Sequence, residues 1–256
     1  MSSIPRQRSP LLFVALVFAL SVPLWLLGAK YRIEILPGLP LGAIMVVCPL
    51  AASLILTARE RGRAGVAAHL ARMIDHRNIV PKGWYLPILL LPPAIAILSY
   101  AVMRALGMPL PPVQLSLTTA VVLFALFFIS ALCEESGWSG YLIDPLQERW
   151  GALVGSLVLG SVWAVWHCVP LLQVGRASNW IAWWTLGTLS TRVLHTWLYN
   201  NTGKSVFGAI LFHAMSNVSW QLFPNDGSHY DPRITGLIAT VIAVFVTARW
   251  GSRTLR

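Results

Sequence analysis

The stretch TTAVVLFALFFISALCEESGWSGYL, residues 118–142, decides how the rest of this chain is interpreted. It places two adjacent carboxylates, Glu134 and Glu135, at the end of an apolar run, in a chain that has only nine acidic residues. An ionised carboxylate in hydrocarbon costs several kcal/mol or more, and such groups in membrane segments usually face a partner or a wet cavity. We therefore expect the two glutamates to form a functional centre inside a helix bundle.

The composition predicts an all-α, polytopic membrane protein. Of the 256 residues, 56% are hydrophobic and 11% are charged, which is too apolar and too poor in charge for an ordinary soluble domain. The net charge of +10 does not indicate a nucleic-acid partner, because the basic residues flank apolar runs instead of clustering on a soluble face. That arrangement is typical of loops that orient a membrane protein and contact the headgroups of anionic lipids.

Apolar windows near the length of about 20 residues that crosses a bilayer predict about eight transmembrane helices. They cover residues 11–29, 41–58, 84–106, 115–132 running on toward 142, 153–172, 180–199, 205–223 and 234–250. The breaks between them are rich in Pro, Gly, Asn and charge, as turns should be. No internal repeat or second domain is visible, so we expect a single membrane domain over residues 1–256.

The distribution of Lys and Arg predicts the orientation. One side of the membrane receives thirteen of the nineteen basic residues and the other receives five, with Arg192 left inside the sixth helix. The thirteen are Arg6, Arg8, Arg59, Arg61, Arg63, Arg72, Arg77, Lys82, Arg149, Lys204, Arg249, Arg253 and Arg256. The positive-inside rule then places both termini in the cytoplasm of a multi-pass protein of the cell membrane. We also expect the functional cavity to open toward that side.

Four of the predicted helices carry polar groups that an inert bundle would not need. These residues are Glu134 and Glu135 on the fourth, His167 on the fifth, Arg192 and His195 on the sixth, and His213 and Asn217 on the seventh. His213 and Asn217 are spaced i and i+4, which puts them on one helix face. If these side chains hydrogen-bond to one another around one polar cavity, the presence of the whole set is explained. His195 fits a packing or network role as well as a catalytic one.

Such a cavity could activate water. A carboxylate in a poorly solvated site can act as a general base near neutral pH, and an imidazole opposite can hold the same water molecule. A His and an Asn one turn apart can donate hydrogen bonds to an oxyanion. These roles together describe amide hydrolysis.

A metal site is the competing interpretation. Glu134, His167 and His213 would form a set of two His and one Glu that suits a hydrolytic zinc ion. The HExxH spacing is absent, however, and Asn217 is a poor zinc ligand. The residues favour a site that requires no cofactor, and one zinc ion stays open as the alternative.

Three short motifs occur in order in the C-terminal half. They are EESGWS followed by GYL at residues 134–142, WAVWH at 163–167 and HAMSN at 213–217, with LYNNTGKS at 198–205 as the turn before the last of them. This pattern resembles the CAAX protease and bacteriocin-processing family of intramembrane endopeptidases, also called CPBP or Abi, whose signatures are EExxxR, FxxxH and HxxxN. The resemblance covers residues 115–222, which we take as the expected catalytic core.

The resemblance implies roles for individual residues. Glu134 would be the base, Glu135 its support, His167 the partner that holds the water, and His213 with Asn217 the oxyanion side. Family mechanisms have been described both as metal-dependent and as glutamate-driven, so the resemblance leaves the metal question open.

Two positions depart from the family signatures, since Trp163 replaces the Phe and Ser139 replaces the Arg. Trp163 keeps an aromatic ring. Ser139 removes a cation that would pair with a carboxylate or clamp a substrate carboxyl group, and a hydroxyl cannot replace that charge. Arg192 could supply it from the sixth helix, which makes Ser139 and Arg192 the candidate substrate-binding residues.

The resemblance therefore implies an endopeptidase that acts on membrane-associated peptides, lipidated C-termini or tails of membrane proteins. One alternative, suggested by Ser139, is a non-catalytic bacteriocin-immunity or scaffold protein of the same fold. A proton-coupled transporter with Glu134 and Glu135 as its relay is a third possibility, but transporters more often show an internal repeat.

The expected depth of His167 in the membrane is inconsistent with the depths of His213 and Glu135. At about 1.5 Å per residue, His213 and Glu135 lie ~10–13 Å from the ends of their helices, whereas His167 lies ~21 Å from the start of its helix. Either the fifth helix is tilted or its boundary is misplaced.

Overall fold

The computed structural model describes residues 9–256, so the predicted cytoplasmic residues Arg6 and Arg8 lie outside the described part. Nine α-helices account for most of residues 9–256: α1 (Pro10–Tyr31), α2 (Cys48–Ala71), α3 (Tyr85–Ala105), α4 (Leu117–Gly137), α5 (Ile143–Trp150), α6 (Ala152–Gln173), α7 (Ser178–Asn201), α8 (Val206–Gln221) and α9 (Pro232–Trp250). A small antiparallel pair, β1 (Glu34–Leu36) and β2 (Leu39–Pro40), follows α1. The predicted all-α, polytopic membrane fold is confirmed.

Six helical segments of the described chain are long and apolar enough to cross a membrane, by length and composition: Pro10–Tyr31, Leu41–Ile74, Lys82–Ala105, Leu117–Trp150, Ala152–Gln173 and Pro232–Trp250. Helices α7 and α8 do not meet this criterion, although both were expected to span. Helix α7 is too polar, because it carries Arg192, His195 and Asn200, all of which are buried. Helix α8 has only 16 residues and is therefore ~24 Å long.

The helices form a closed ring around an internal space. Going round the ring, α1 packs on α2, α2 on α4, α4 on α8, α8 on α3, α3 on α9, α9 on α7, α7 on α6, and α6 returns to α1. Along the chain the helices alternate in direction, so the C-terminus and the start of α1 lie at one end of the bundle. The loops that follow α1, α3, α6 and α8 lie at the other end. We call these the terminal end and the loop end.

Helix α4 places the two glutamates deep in the bundle. Ser116 caps its N-terminus by accepting a hydrogen bond from the Thr119 backbone N–H. After Gly137 the chain continues without a break through one π-helical turn, Trp138–Leu142, into α5. A side chain at Gly137 would collide with Pro49 of α2 and with Phe13 of α1, at 2.7 and 2.8 Å from the added Cβ. Glycine therefore lets α4 approach both helices closely just beyond the glutamates.

The π-helical turn is fixed from α2. Gly62 adopts a φ of 64°, which favours glycine, and kinks α2. Beyond the kink, Arg72 donates hydrogen bonds to the Gly140 carbonyl oxygen at 2.7 Å and to the Tyr199 hydroxyl at 2.6 Å. The Tyr199 hydroxyl in turn donates to Asp144 at 3.1 Å. This network ties α2, the π-helical turn and α7 together at the terminal end.

Candidate active site

Glu135 is held by three side chains from three elements. One guanidinium nitrogen of Arg192 lies 2.7 Å from its Oε1, and Nδ1 of His213 lies 2.8 Å from the same oxygen. The Ser139 hydroxyl, one turn further along the same helix, donates to its Oε2. Glu135 is completely buried, and both of its oxygens are occupied. The structure thus places Arg192 beside the glutamate pair, as the sequence hypothesis had it.

Glu134 is equally buried but less fully bound. Its Oε2 accepts a hydrogen bond from the indole N–H of Trp163 at 2.8 Å. Its Oε1 lies 3.9 Å from Nε2 of His213, which is too long for a direct hydrogen bond. Glu134 lines the internal cavity, whereas Glu135 does not. The glutamate that faces the cavity is therefore the one with an oxygen available for a further partner.

His213 connects the two glutamates. It lies on α8, which Ser205 caps and Asp75 anchors through the backbone N–H groups of Val206 and Phe207, at 3.2 and 3.1 Å. Because Nδ1 of His213 faces Glu135, its Nε2 is directed toward Glu134. The hydrogen bond to Glu135 thus fixes the orientation of the ring.

His167 lies differently from what the sequence analysis expected. Its Nδ1 lies 3.0 Å from the Trp163 carbonyl oxygen, so this nitrogen must donate and Nε2 is left with its lone pair. The ring lies against Trp163, with 3.8 Å between ring centroids, and it lines the cavity. Among residues 9–256, Trp163 hydrogen-bonds Glu134 and His167 does not. The excess depth of His167 fits this arrangement, since Trp163 lies one helical turn closer to the start of α6.

Asn217 and His195 complete the polar wall of the cavity. Asn217 is half-buried and lies one turn beyond His213 toward the loop end. His195 is buried, with its ring edge on Phe212 and its centroid 5.7 Å from that of His213. Within the described residues its Nδ1 has no hydrogen-bond partner. The sequence indicated Asn217 by its i, i+4 spacing from His213, and His195 only by its place in an apolar helix.

The cavity has a volume of about 550 Å³ and extends from Glu134 toward the loop end. The residues that line it lie on the loop-end side of the glutamates, for example Phe127 on α4, Trp184 on α7 and Trp220 on α8, together with the β1–β2 turn. On the opposite side of the glutamates, Trp138 and Tyr141 are fully buried and close the terminal end. The expectation that the cavity opens on the same side as the termini is therefore wrong. The side on which the cavity opens depends on the directions of the helices. The positions of the polar residues in the sequence do not give those directions.

The candidate metal ligands Glu134, His167 and His213 lie on three different helices, α4, α6 and α8. Within the described chain, residues 9–256, no three His, Cys, Asp or Glu side chains are arranged so that they could hold a metal ion. Glu134, His167 and His213 are therefore not brought together as three metal ligands in this arrangement.

Fold and site together define a polytopic helical membrane protein with a buried cluster of Glu, His and Arg at the inner end of an apolar cavity. The model of the family described as "Type II CAAX prenyl endopeptidase Rce1-like" matches residues 116–219. CAAX prenyl protease 2 of Methanococcus maripaludis is 26% identical over 266 aligned residues, which cover 93% of this chain and 94% of that protein. The chain is thus similar to type II CAAX endopeptidases of the CPBP family, most clearly over residues 116–219. This similarity supports intramembrane endopeptidase activity.

Proposed function

We propose that this protein hydrolyses peptide bonds of membrane-associated or lipidated substrates with a water molecule that Glu134 activates. The observation that carries the proposal is the unequal state of the two glutamates. Glu135 is bound by Arg192, His213 and Ser139, while Glu134 faces the cavity with Oε1 free of hydrogen bonds from the described residues. A general base needs such an oxygen within reach of the proton that it takes.

The attacking water would lie between Oε1 of Glu134 and Nε2 of His213. Their separation of 3.9 Å is too long for a direct bond but allows both atoms to accept hydrogen bonds from one water molecule at the cavity wall. Glu134 would take a proton as the water oxygen bonds to the carbonyl carbon of the peptide. The same proton would then pass to the leaving nitrogen as the C–N bond breaks, so that Glu134 is regenerated.

Asn217 and His167 would act on the substrate. The side-chain amide of Asn217 lies one turn from His213 and can donate a hydrogen bond to the oxyanion that forms on the carbonyl. The free Nε2 of His167 can accept a hydrogen bond from a peptide N–H, since its Nδ1 is committed to the Trp163 carbonyl. These assignments give the water-holding role to His213, where the sequence analysis gave it to His167.

The substrates proposed for this site are peptides that carry a lipid or lie in the membrane. The cavity is mostly apolar, and its volume of about 550 Å³ lies in the range of small-ligand pockets. The names of the matched family and relative refer to prenylated CAAX sequences, that is, a C-terminal lipid-modified Cys followed by three residues. A prenyl chain would occupy the apolar part of the cavity while the peptide bond reaches Glu134. Membrane lipids and such a peptide or protein are the proposed partners.

The test is cleavage of a farnesylated CAAX peptide by the purified protein in nanodiscs, with three variants compared. Glu134→Gln should lower kcat at least ~10²–10⁴-fold, which is the usual contribution of a general base, while the unfolding midpoint stays near that of the wild type. Glu135→Gln should lower both activity and the unfolding midpoint, because it leaves Arg192 buried without its partner. Glu148→Gln changes an exposed glutamate of α5 and is the control.

Full activity of Glu134→Gln would disprove this mechanism. A well-folded wild-type protein that cleaves no prenylated or unmodified membrane peptide would instead favour the non-catalytic alternative. Ser139 was the reason for that alternative, and the position of Arg192 next to Glu135 weakens it.

A further inference from the structure

Two arginines line the cavity, and they differ in their partners. Arg192 lies at the inner end, is buried, and forms the ion pair with Glu135. Arg176 lies at the loop end, just after α6, and is half-buried. Within residues 9–256 no carboxylate forms an ion pair with Arg176. The guanidinium of Arg176, at the loop end of the cavity, is therefore available to an anionic ligand, whereas that of Arg192, at the inner end, is paired with Glu135.

The surroundings of Arg176 hold its side chain in place. The guanidinium carbon lies 4.6 Å from the centroid of the Trp180 ring, which is the distance of a cation–π contact. A terminal guanidinium nitrogen lies 3.5 Å from the position that a Cβ on Gly38 would take, and the Trp220 ring lies beside the same position. Stacking uses the face of the guanidinium and leaves its N–H groups, which lie in the plane, available. These groups match the two oxygens of a carboxylate.

A half-buried guanidinium beside an apolar cavity can form a charge-assisted contact with an anionic group of a ligand that occupies the cavity. We propose that Arg176 binds a carboxylate of the peptide substrate, either its C-terminal carboxylate or an acidic side chain, and so selects which peptide bond reaches Glu134. This inference rests on the proposed endopeptidase function. It also reassigns the clamp for a substrate carboxylate, since the candidates from the sequence, Arg192 and Ser139, are both bound to Glu135.

The distance along α6 limits where that carboxylate can lie in the substrate. Trp163 contacts Glu134, and Gln173 ends the helix ten residues later, which corresponds to ~15 Å. An extended peptide needs at least about four residues to cover that length. The carboxylate should therefore lie about four or five residues from the bond that is cleaved, less the length that the Arg176 side chain itself spans.

Binding is measured separately from cleavage, in the Glu134→Gln background and in nanodiscs of neutral lipid. Three fluorescein-labelled peptides are based on one farnesylated CAAX sequence. The first ends in a free carboxylate and the second in an amide. The third has Glu as its last residue and an amidated C-terminus, so that its only terminal carboxylate is a side chain. The free acid should bind about 10- to 100-fold more tightly than the plain amide, as expected for one charge-assisted contact. Arg176→Gln should abolish that difference, and Arg176→Lys should retain part of it. Tight binding of the Glu peptide would show that a side-chain carboxylate also serves.

Arg104→Gln is the matched control, because it removes an exposed positive charge at the same end of the bundle. Its affinities should equal those of the parent protein. Equal affinity for free acid and plain amide in the parent, or equal weakening of both by Arg176→Gln, would overturn the inference. So would an Arg176 effect that depends on added anionic lipid and not on the peptide carboxylate. Since these are affinities of an inactive variant, they are independent of whether the wild type cleaves the peptides.

Discussion

A guanidinium nitrogen of Arg192 on α7 lies 2.7 Å from Oε1 of Glu135 on α4, although the two residues are 57 positions apart in the chain. Both side chains are almost completely buried, with exposed fractions of 5% and 0%. In the family signature the cation lies four residues after the second glutamate, where this chain has Ser139. Here a different helix supplies the positive charge, and Ser139 supplies a hydrogen bond to the other carboxylate oxygen.

Arg192→Gln should unfold more easily and lose activity. Breaking a buried ion pair from one side typically costs about 3–5 kcal/mol, because the remaining charge stays buried without a partner. The loss of activity should follow, since Glu135 would no longer hold His213 in a fixed orientation. Thermal unfolding in detergent and cleavage of the farnesylated peptide measure the two effects.

Arg233→Gln is the control for this ion pair. Arg233 pairs with Asp231 at 2.7 Å but is exposed, so both readouts should stay near wild type. The double variant Arg192→Gln with Glu135→Gln should regain stability relative to Arg192→Gln alone, while remaining inactive. Undiminished activity of Arg192→Gln would contradict the role given to the cation.

A positive charge introduced at position 139 should partly replace the guanidinium of Arg192 next to Glu135. Ser139→Arg alone should destabilise the protein, because it adds a second cation and a large side chain at a buried position. Combined with Arg192→Gln, it restores the family arrangement with one cation next to Glu135. The double variant should therefore be more active than Arg192→Gln, by about 10-fold if one charged contact is regained. If kcat/KM of the double variant does not exceed that of Arg192→Gln, the two positions are not equivalent.

Trp163→Phe tests the hydrogen bond from the indole N–H to Glu134. The change keeps an aromatic ring, as in the family signature, but leaves one oxygen of a buried carboxylate without its donor. We expect kcat to fall several-fold and the free energy of unfolding to fall by about 1–3 kcal/mol. Trp183→Phe is the control, because it removes an indole N–H from an exposed ring that does not line the cavity, so it should behave like wild type. Wild-type kcat for Trp163→Phe would show that Glu134 needs no fixed donor.

The sequence predicts much of this site because acid and imidazole are rare in apolar helices. Glu134 and Glu135 stand out by composition alone, and the i, i+4 spacing places His213 and Asn217 on one face. The Arg192 hypothesis followed from a single intramembrane cation and a missing one at Ser139. Each of these inferences needs only the spacing of residues along a helix and the positions of charged residues in apolar segments.

What the sequence could not show depends on the rotation and direction of helices. Trp163 was interpreted as an aromatic replacement for Phe, but its N–H is the group that contacts Glu134, and His167 is turned toward the backbone. Hydropathy also counted α7 and α8 as ordinary spans, although their polar residues form the centre of the bundle. The direction in which the cavity opens depends on which loops surround it, and this requires the arrangement of the helices in three dimensions.

Removal of metal should leave activity unchanged. The described residues offer no arrangement of three ligands for a metal ion, and the proposed mechanism uses Glu134 and His213 alone to hold the water. We expect equal kcat/KM before and after treatment with a chelator, and less than one equivalent of zinc by elemental analysis of the active protein. Activity that disappears with chelator and returns with zinc would show that the side chains rearrange to bind a metal.

Substrates should enter the cavity from the side of the membrane opposite to the termini. The excess of Lys and Arg at the terminal end predicts that the termini are cytoplasmic, and the cavity then opens toward the opposite side. Single cysteines at Ser178, near the cavity, and at Ser252, near the C-terminus, are both exposed positions that can report this. They are introduced after the native Cys48, Cys133 and Cys168 have been replaced by Ala.

A membrane-impermeant maleimide should label the cysteine at Ser178 in intact cells and the cysteine at Ser252 only after permeabilisation. The opposite result would place the cavity on the cytoplasmic side and the termini outside, against the charge distribution. In that case a soluble prenylated protein could deliver its C-terminus directly to Glu134, whereas the predicted orientation requires a substrate that has already crossed or entered the bilayer. The labelling pattern therefore decides which pool of substrates the cleavage experiments should use.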